Sequence, residues 1–243
     1  MQALPKTTGA FFALLRLCFI AAVWLSAPAG ASDHAVRIGV LSFRDIEATR
    51  PQWAALAEHL NRQIPGKRFE FVPLHLDDLN RAVEAGNIDF VLTQPEHYVV
   101  LRTRHGLAAV ATLMPLAGGH PVSRFGGVIV TRAGRQDIRE LADLRGRTVA
   151  AAHQSSRGSY RGQQWARLQA GVHVPDDLKG VSFTGQSQDE VIRQVLNNQV
   201  DVGFVRTGLI ESMVDEGKLD AGALKVINPQ NDPGFPLRRS TAL

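Results

Sequence analysis

Cysteine is nearly absent: Cys18 is the only one in the chain, and it lies within the first 31 residues. Residues 32–243 therefore have no disulfide, no thiolate nucleophile and no thiolate metal ligand. The signatures of common enzymes are missing as well. There is no phosphate-cradling glycine loop, no G-x-G-x-x-G turn, no G-x-S-x-G elbow and no H-E-x-x-H helix. The eight histidines are scattered without metal-ligand spacing, so neither a metal nor another cofactor is expected. The formal charge of +4 carries no basic block, which argues against a nucleic-acid partner. Beyond residue 31 no apolar run approaches the ~20 residues that span a bilayer.

The one long apolar run is at the start. Lys6 and Arg16 precede Leu17–Leu25, and Ala29-Gly30-Ala31 offers a small-x-small cleavage signal before Ser32-Asp33. This layout predicts a secretory leader over 1–31, removed on export to the periplasm. The alternative is an uncleaved membrane anchor. Two of the four net positive charges belong to this leader, so the exported part is nearly neutral.

The rest alternates short apolar strands with amphipathic helices. Strands are predicted at Val36–Leu41, Phe69–Leu74, Ile88–Leu92 and Leu107–Leu113, then at Phe125–Val130, Thr148–Ala151, Val181–Phe183 and Val202–Val205. Helices fall between them, one with Pro51 in its first turn, another opened by Pro95 and a third capped by Asp77. This order predicts an α/β fold of parallel βαβ units. One unit recurs. A constant offset lays Asp77 on Asp189, Leu79 on Val191, Val83 on Val195, Ile88 on Val200 and Asp89 on Asp201. The offset is far longer than the roughly 20–50 residues of a solenoid repeat, so it implies two similar lobes. Pro115–Pro121, with Gly118-Gly119 inside, breaks the pattern between them. The expected organisation is lobe 1 at 32–116, lobe 2 at 117–222, and an incomplete return toward lobe 1 at 223–243. Leu224–Ile227 is expected to begin that return. Asn228–Leu243 has three prolines and no helical pattern, as a truncated C-terminus would.

In open α/β sheets ligands gather beyond the carboxyl ends of strands, which singles out the polar exits. Ser155, Ser156 and Ser159, with Tyr160, sit where a strand gives way to a helix. Free backbone N–H groups and a positive helix end there suit an anion, although an ordinary N-cap uses serine equally well. Arg206 and Thr207 follow the apolar run Val202–Val205. The arginine either grips an oxyanion or pairs structurally with Asp201 or Glu211. Thr93 and Gln94 are the matching exit of the first repeat, and Ser42 and Phe43 close the first strand. Ser187 and Gln188 open the second repeat helix, where Ser187 or Asp189 also serves as a cap. Glu96-His97 offers an acid/base pair, but the helix start there explains both residues more cheaply.

The chain resembles the phosphate/phosphonate-binding type of periplasmic substrate-binding domain. The likeness rests on Arg37–Val40, Gly86–Phe90, Asp143–Ala150, Ser155–Tyr160 and Val195–Gly203. Thr93–Tyr98, Phe204–Gly208 and Val226–Pro229 look most like the version at the front of tetrathionate-sensor-like histidine kinases. The resemblance implies a type II, two-lobed periplasmic binding protein-like fold with a hinge and a central cleft. Both lobes would close on a small anion, with Ser155, Ser156 and Ser159 as its cradle and Thr93 on the first wall. Gln188 stands where phosphonate binders usually have histidine, which leaves sulfur oxyanions open. The implied partners are the small anion and either a membrane-bound histidine kinase region or an ABC permease. A two-lobed small-molecule enzyme is the reading from a different class.

Overall fold

The computed structural model describes residues 34–117, 120–121, 123–173, 176–185 and 187–229. The expected leader and the last fourteen residues lie outside them. The described chain builds two open α/β sheets. In the first, β1 (Val36–Leu41) lies between β2 (Phe69–Leu74) and β3 (Phe90–Leu92), all parallel. Its helices are the short α1 (Ile46–Thr49), α2 (Ala54–Gln63), α3 (Leu76–Glu84) and α4 (Pro95–His105). A two-stranded pair comes next, β4 (Leu116–Ala117) with β5 (His120–Pro121). The second sheet contains β6 (Gly127–Arg132), β7 (Thr148–Ala151), β8 (Gly180–Phe183), β9 (Val202–Arg206) and β10 (Leu224–Ile227), in the order β10-β6-β9-β7-β8. Strands β7, β8 and β9 run parallel, while β6 and β10 are antiparallel additions. Helices α5 (Gly162–Gln169), α6 (Gln188–Leu196) and α7 (Leu209–Asp215) complete it.

The repeat is real in three dimensions. Strand order β2-β1-β3 in the first sheet matches β8-β7-β9 in the second, and α3 and α6 occupy equivalent positions. The shared aspartates have a common job. Asp89 accepts the Arg37 amide at 2.8 Å and Asp201 accepts the Thr148 amide at 2.9 Å. Each aspartate satisfies a backbone donor at the start of the neighbouring strand, so its recurrence is structural.

The main core belongs to the second sheet, which is buried on both faces. Alternation divides β6: Val128 and Val130 face α6 and α7, while Ile129 faces Ile138, Leu144 and Tyr160. Strand β9 does the same with Val205 on one side and Val202 and Phe204 on the other. The first sheet is barer. Helix α2 has no fully buried residue, and Trp53 stacks on Phe71 at 5.5 Å.

Several expected elements differ. No strand forms at Leu107–Leu113; Val110 and Leu113 are exposed there, and among the described residues no backbone pairs with the segment. Asp77 is not the cap of α3. The helix starts one residue earlier, leaving Asp77 and Asp78 in its first turn, where their charge favours the positive end. Between β6 and β7 the chain forms only a 3₁₀ turn, Leu141–Leu144. Leu224–Ile227 does not leave the second lobe: it pairs along β6, because Leu224 and Val226 pack on one core face and Ile227 is buried on the other.

Arg167 is an odd member of this core. It is fully buried, its three guanidinium nitrogens have no hydrogen-bond partner among the described residues, and it lies over Phe204 at 4.3 Å. Burial lowers its pKa to about 10. A cation–π contact contributes about 2 kcal/mol when desolvated, less than the several kcal/mol that burying an ion costs. Arg167→Met, similar in length and apolar, is therefore expected to raise unfolding free energy by on the order of 1 kcal/mol in urea titrations. A fall of similar size would mean that the guanidinium is a net stabiliser.

Candidate functional site

The carboxyl end of β1 meets the amino end of α6 across the seam between the lobes. Arg44, 2% exposed, donates from Nε to Asp189 Oδ1 at 2.9 Å and from Nη2 to Asp189 Oδ2 at 2.7 Å. It also pairs with Glu216 after α7, donating from Nη2 to Oε2 at 3.0 Å. Beside it the Phe43 carbonyl accepts the Gln188 amide at 3.0 Å, and the Ser187 hydroxyl donates to Asp45 Oδ1 at 2.5 Å. The other flank of the seam is lighter. Gln94 Nε2 donates to the Ser155 carbonyl, Gln94 Oε1 accepts the Arg157 amide, and Arg157 pairs with Glu96 at 2.7 Å.

Between these flanks stands Arg206, at the end of β9. Its guanidinium carbon lies 4.0 Å from the Phe43 ring centre and 5.1 Å from that of Phe125, so one aromatic comes from each side of the seam. Its backbone N–H donates to Gln188 Oε1 at 2.7 Å, fixing the side chain's origin. No carboxylate among the described residues lies within ion-pair distance. Asp201 is held by Arg135 and Thr148 instead. Burial lowers the Arg206 pKa to about 10, and no anion offsets that cost. The structure thus holds a half-buried cation whose donors are not satisfied by an acid among the described residues.

The serine-rich exit of β7 folds into a single π turn, Arg157–Arg161, capped by Ser156, whose Oγ accepts the Ser159 amide. Gly158 lets this turn close on β9: a Cβ there would sit 2.7 Å from Arg206 Cβ. Thus the serines and Arg206 share one corner.

The expected residues divide into two groups. Phe43 with Arg206 and Gln94 with Ser155 make contacts across the seam, and Thr93 and Ser156 are their immediate neighbours in the chain. The others serve the scaffold. The Ser159 hydroxyl donates to the Phe204 carbonyl and accepts the Ala152 amide. Tyr160 packs edge-on against Phe183 inside the second core. Ser42 is buried and donates to the Arg44 carbonyl, and Thr207 accepts the Gly126 amide. Ser187 caps α6, and Gln188 positions Arg206. Sequence reasoning missed Arg44 and Glu216. The only signal was a charged Arg44-Asp45 pair just after a strand exit.

Two histidines sit behind the seam hydroxyls. His97 is buried, with Nδ1 2.6 Å from Thr93 Oγ1 and Nε2 2.8 Å from Asn80 Oδ1. His153 Nδ1 lies 2.7 Å from Ser155 Oγ and accepts the Ser155 amide at 3.1 Å. Among the described residues no cluster of His, Cys, Asp and Glu could hold a metal ion, and no helix is long and apolar enough to cross a membrane.

This architecture is that of a two-lobed periplasmic solute-binding protein. Solved structures with the same fold include PhnD1 of Prochlorococcus marinus, in complex with methylphosphonate (TM-score 0.65, 15% identity, 81% of this chain and 72% of that one). Another is a binding-protein component of an ABC phosphonate transporter from Pseudomonas aeruginosa (TM-score 0.64, 15% identity, 79% and 64%). A family model described as ABC transporter, phosphonate, periplasmic substrate-binding protein matches residues 38–234. The chain belongs to that family. It is also 34% identical over 206 residues to the tetrathionate sensor histidine kinase TtrS of Salmonella typhimurium, covering 84% of this chain. The chain spans about a third, 34%, of that relative's length.

Two measurements probe the seam. Arg44→Ala leaves Asp189 buried without its cation, and unfolding free energy should fall by about 3–5 kcal/mol. Adding Asp189→Ala should cost far less than the sum of the two single changes, and simple additivity would deny the coupling. Acid should act through His97. Burial lowers its pKa from 6.5 to about 4, so between those values the unfolded chain binds the proton first. The stability from neutral His97 is present in full above 6.5 and is lost as pH falls toward 4. The decline over that range should be shallower in His97→Gln than in the wild type.

Proposed function

We propose that this chain is an extracytoplasmic solute-binding domain that captures a small oxyanion between its two lobes and serves as the input part of a two-component histidine kinase. The observation that carries the ligand reading is Arg206: a cation held between Phe43 and Phe125, pointed by Gln188, with no acid beside it among the described residues. Ser156, Thr93, Gln94 and Ser155 complete the anion's surroundings in this reading. The binding energy comes from charge-assisted hydrogen bonds in a desolvated site, and the ligand is released unchanged. Lobe 1 corresponds to the first sheet and lobe 2 to the second, extended by β10, with the boundary in the link between β3's helix and β6. Residues 1–31 direct export and are cleaved.

The sensor role is favoured over a free-standing transporter component by the 34% identity to a sensor kinase, against 15% to the transporter proteins. In the sensor reading the partner is a membrane-bound kinase region; in the transporter reading it is an ABC permease.

A thermal-shift screen of the purified chain with phosphate, methylphosphonate, sulfate, thiosulfate and tetrathionate tests the site. At least one anion should raise the melting temperature. Arg206→Ala should weaken its binding by roughly 10- to 100-fold, the worth of a hydrogen bond to a charged group. Arg206→Lys should not restore it, since lysine lacks the planar fork. Loss of stability with affinity intact would make Arg206 a packing residue.

A further inference from the structure

The hydrogen-bond partners of the two seam hydroxyls determine which way their protons point. His153 Nδ1 accepts the Ser155 amide at 3.1 Å, so that nitrogen carries no proton. The Ser155 hydroxyl, 2.7 Å from the same nitrogen, must therefore donate to it. His97 leads to the same result by another route. Its Nε2 faces Asn80 Oδ1 at 2.8 Å, an atom that only accepts, so Nε2 bears the ring proton. Burial keeps the ring neutral, which leaves Nδ1 bare. Thr93 Oγ1, 2.6 Å away, donates to it. A hydroxyl has one proton, and each of these is now engaged by an imidazole nitrogen. What Thr93 and Ser155 offer a ligand is lone pairs.

These hydroxyls belong to opposite lobes, and one glutamine links them: Gln94, next to Thr93, donates to the Ser155 carbonyl at 3.4 Å. We propose that Thr93 and Ser155 act as hydrogen-bond acceptors, oriented by His97 and His153, and so select an oxyanion that still carries a proton over an aprotic one of the same shape and charge. This rests on the seam being the anion site. Arg206 neutralises the charge, and Ser156, whose Oγ accepts the Ser159 amide and donates to no described residue, keeps its own proton for the ligand. An aprotic anion brings acceptors alone and meets two more acceptors. Turning the Thr93 hydroxyl toward it would leave Nδ1 of buried His97 without its donor, which is costly; turning the Ser155 hydroxyl costs less, because His153 Nδ1 keeps the Ser155 amide. His97 and His153 are positioning residues, acting on the ligand through their hydroxyls.

Methylphosphonate and methanesulfonate make a matched pair. At neutral pH the first is predominantly a hydrogen-bearing monoanion, and the second has its shape and charge without the proton. Titration calorimetry on the full chain should show methylphosphonate binding tighter by roughly tenfold or more, the cost of one unsatisfied buried polar contact. Thr93→Ser should keep that ratio. Thr93→Val should reduce it by weakening methylphosphonate alone. His97→Leu frees the Thr93 proton and should strengthen methanesulfonate, whereas a merely structural His97 would weaken both anions alike. Ser155→Ala gives an independent reading should a His97 variant not fold. Equal affinities in the wild type, or tighter methanesulfonate, overturn the selection while leaving the anion site intact. If neither anion binds and the wider screen also fails, the anion site itself falls and the selection with it.

Discussion

The most deeply buried ion pair between the two halves of this molecule is built on one guanidinium. Arg44 leaves the first sheet at the end of β1 and is gripped by Asp189 at the start of α6 and by Glu216 beyond α7. Asp189 is almost inaccessible, so this contact is nothing like the surface ion pairs at Arg62 or Arg81, which contribute little. Desolvating Arg44 and Asp189 costs several kcal/mol for each ion and is offset only when the geometry is good. Two-pronged pairing supplies that geometry. It also fixes Phe43 between the two arms of the seam, so the position of an aromatic wall over Arg206 depends on a salt bridge one residue away.

The two lobes are copies in topology and unequal in substance. Both follow the same strand order, and both use an aspartate to satisfy an amide at the start of the neighbouring strand. The second has added β6 and β10, which give its sheet two buried faces. It also carries the cation and the capped π turn. The first contributes neutral or aromatic groups, Thr93, Gln94 and Phe43. The buried cation thus belongs to the better-packed half, and the other half sets an aromatic ring against it.

Much of this is legible in the residues alone. Hydrophobic alternation and proline and glycine punctuation locate nearly every helix and most strands, because those signals are local. The repeat is legible because its aspartates and apolar positions have geometric jobs that tolerate few substitutes. Arg206 at a strand exit is legible for the same reason. Leu107–Leu113 misleads because an apolar run reads as a strand whether or not a partner backbone lies beside it. Ser159, Tyr160 and Thr207 mislead differently: their motif places them near the site, but their polar atoms or rings turn toward the scaffold. Arg44 with Glu216 is invisible, since a contact between residues so far apart leaves no periodic trace.

The link between the sheets enters the second one at Gly126 and Gly127, and Gly127 is in register with Arg206. Gly126 exchanges backbone and side-chain hydrogen bonds with Thr207, and Phe125 covers the Arg206 guanidinium. The covalent connector and the cation are thus stitched together at one point of the sheet edge. Any rotation of one lobe against the other pulls on the backbone that anchors the charge. The position of Arg206 and the angle between the lobes are, mechanically, one coordinate.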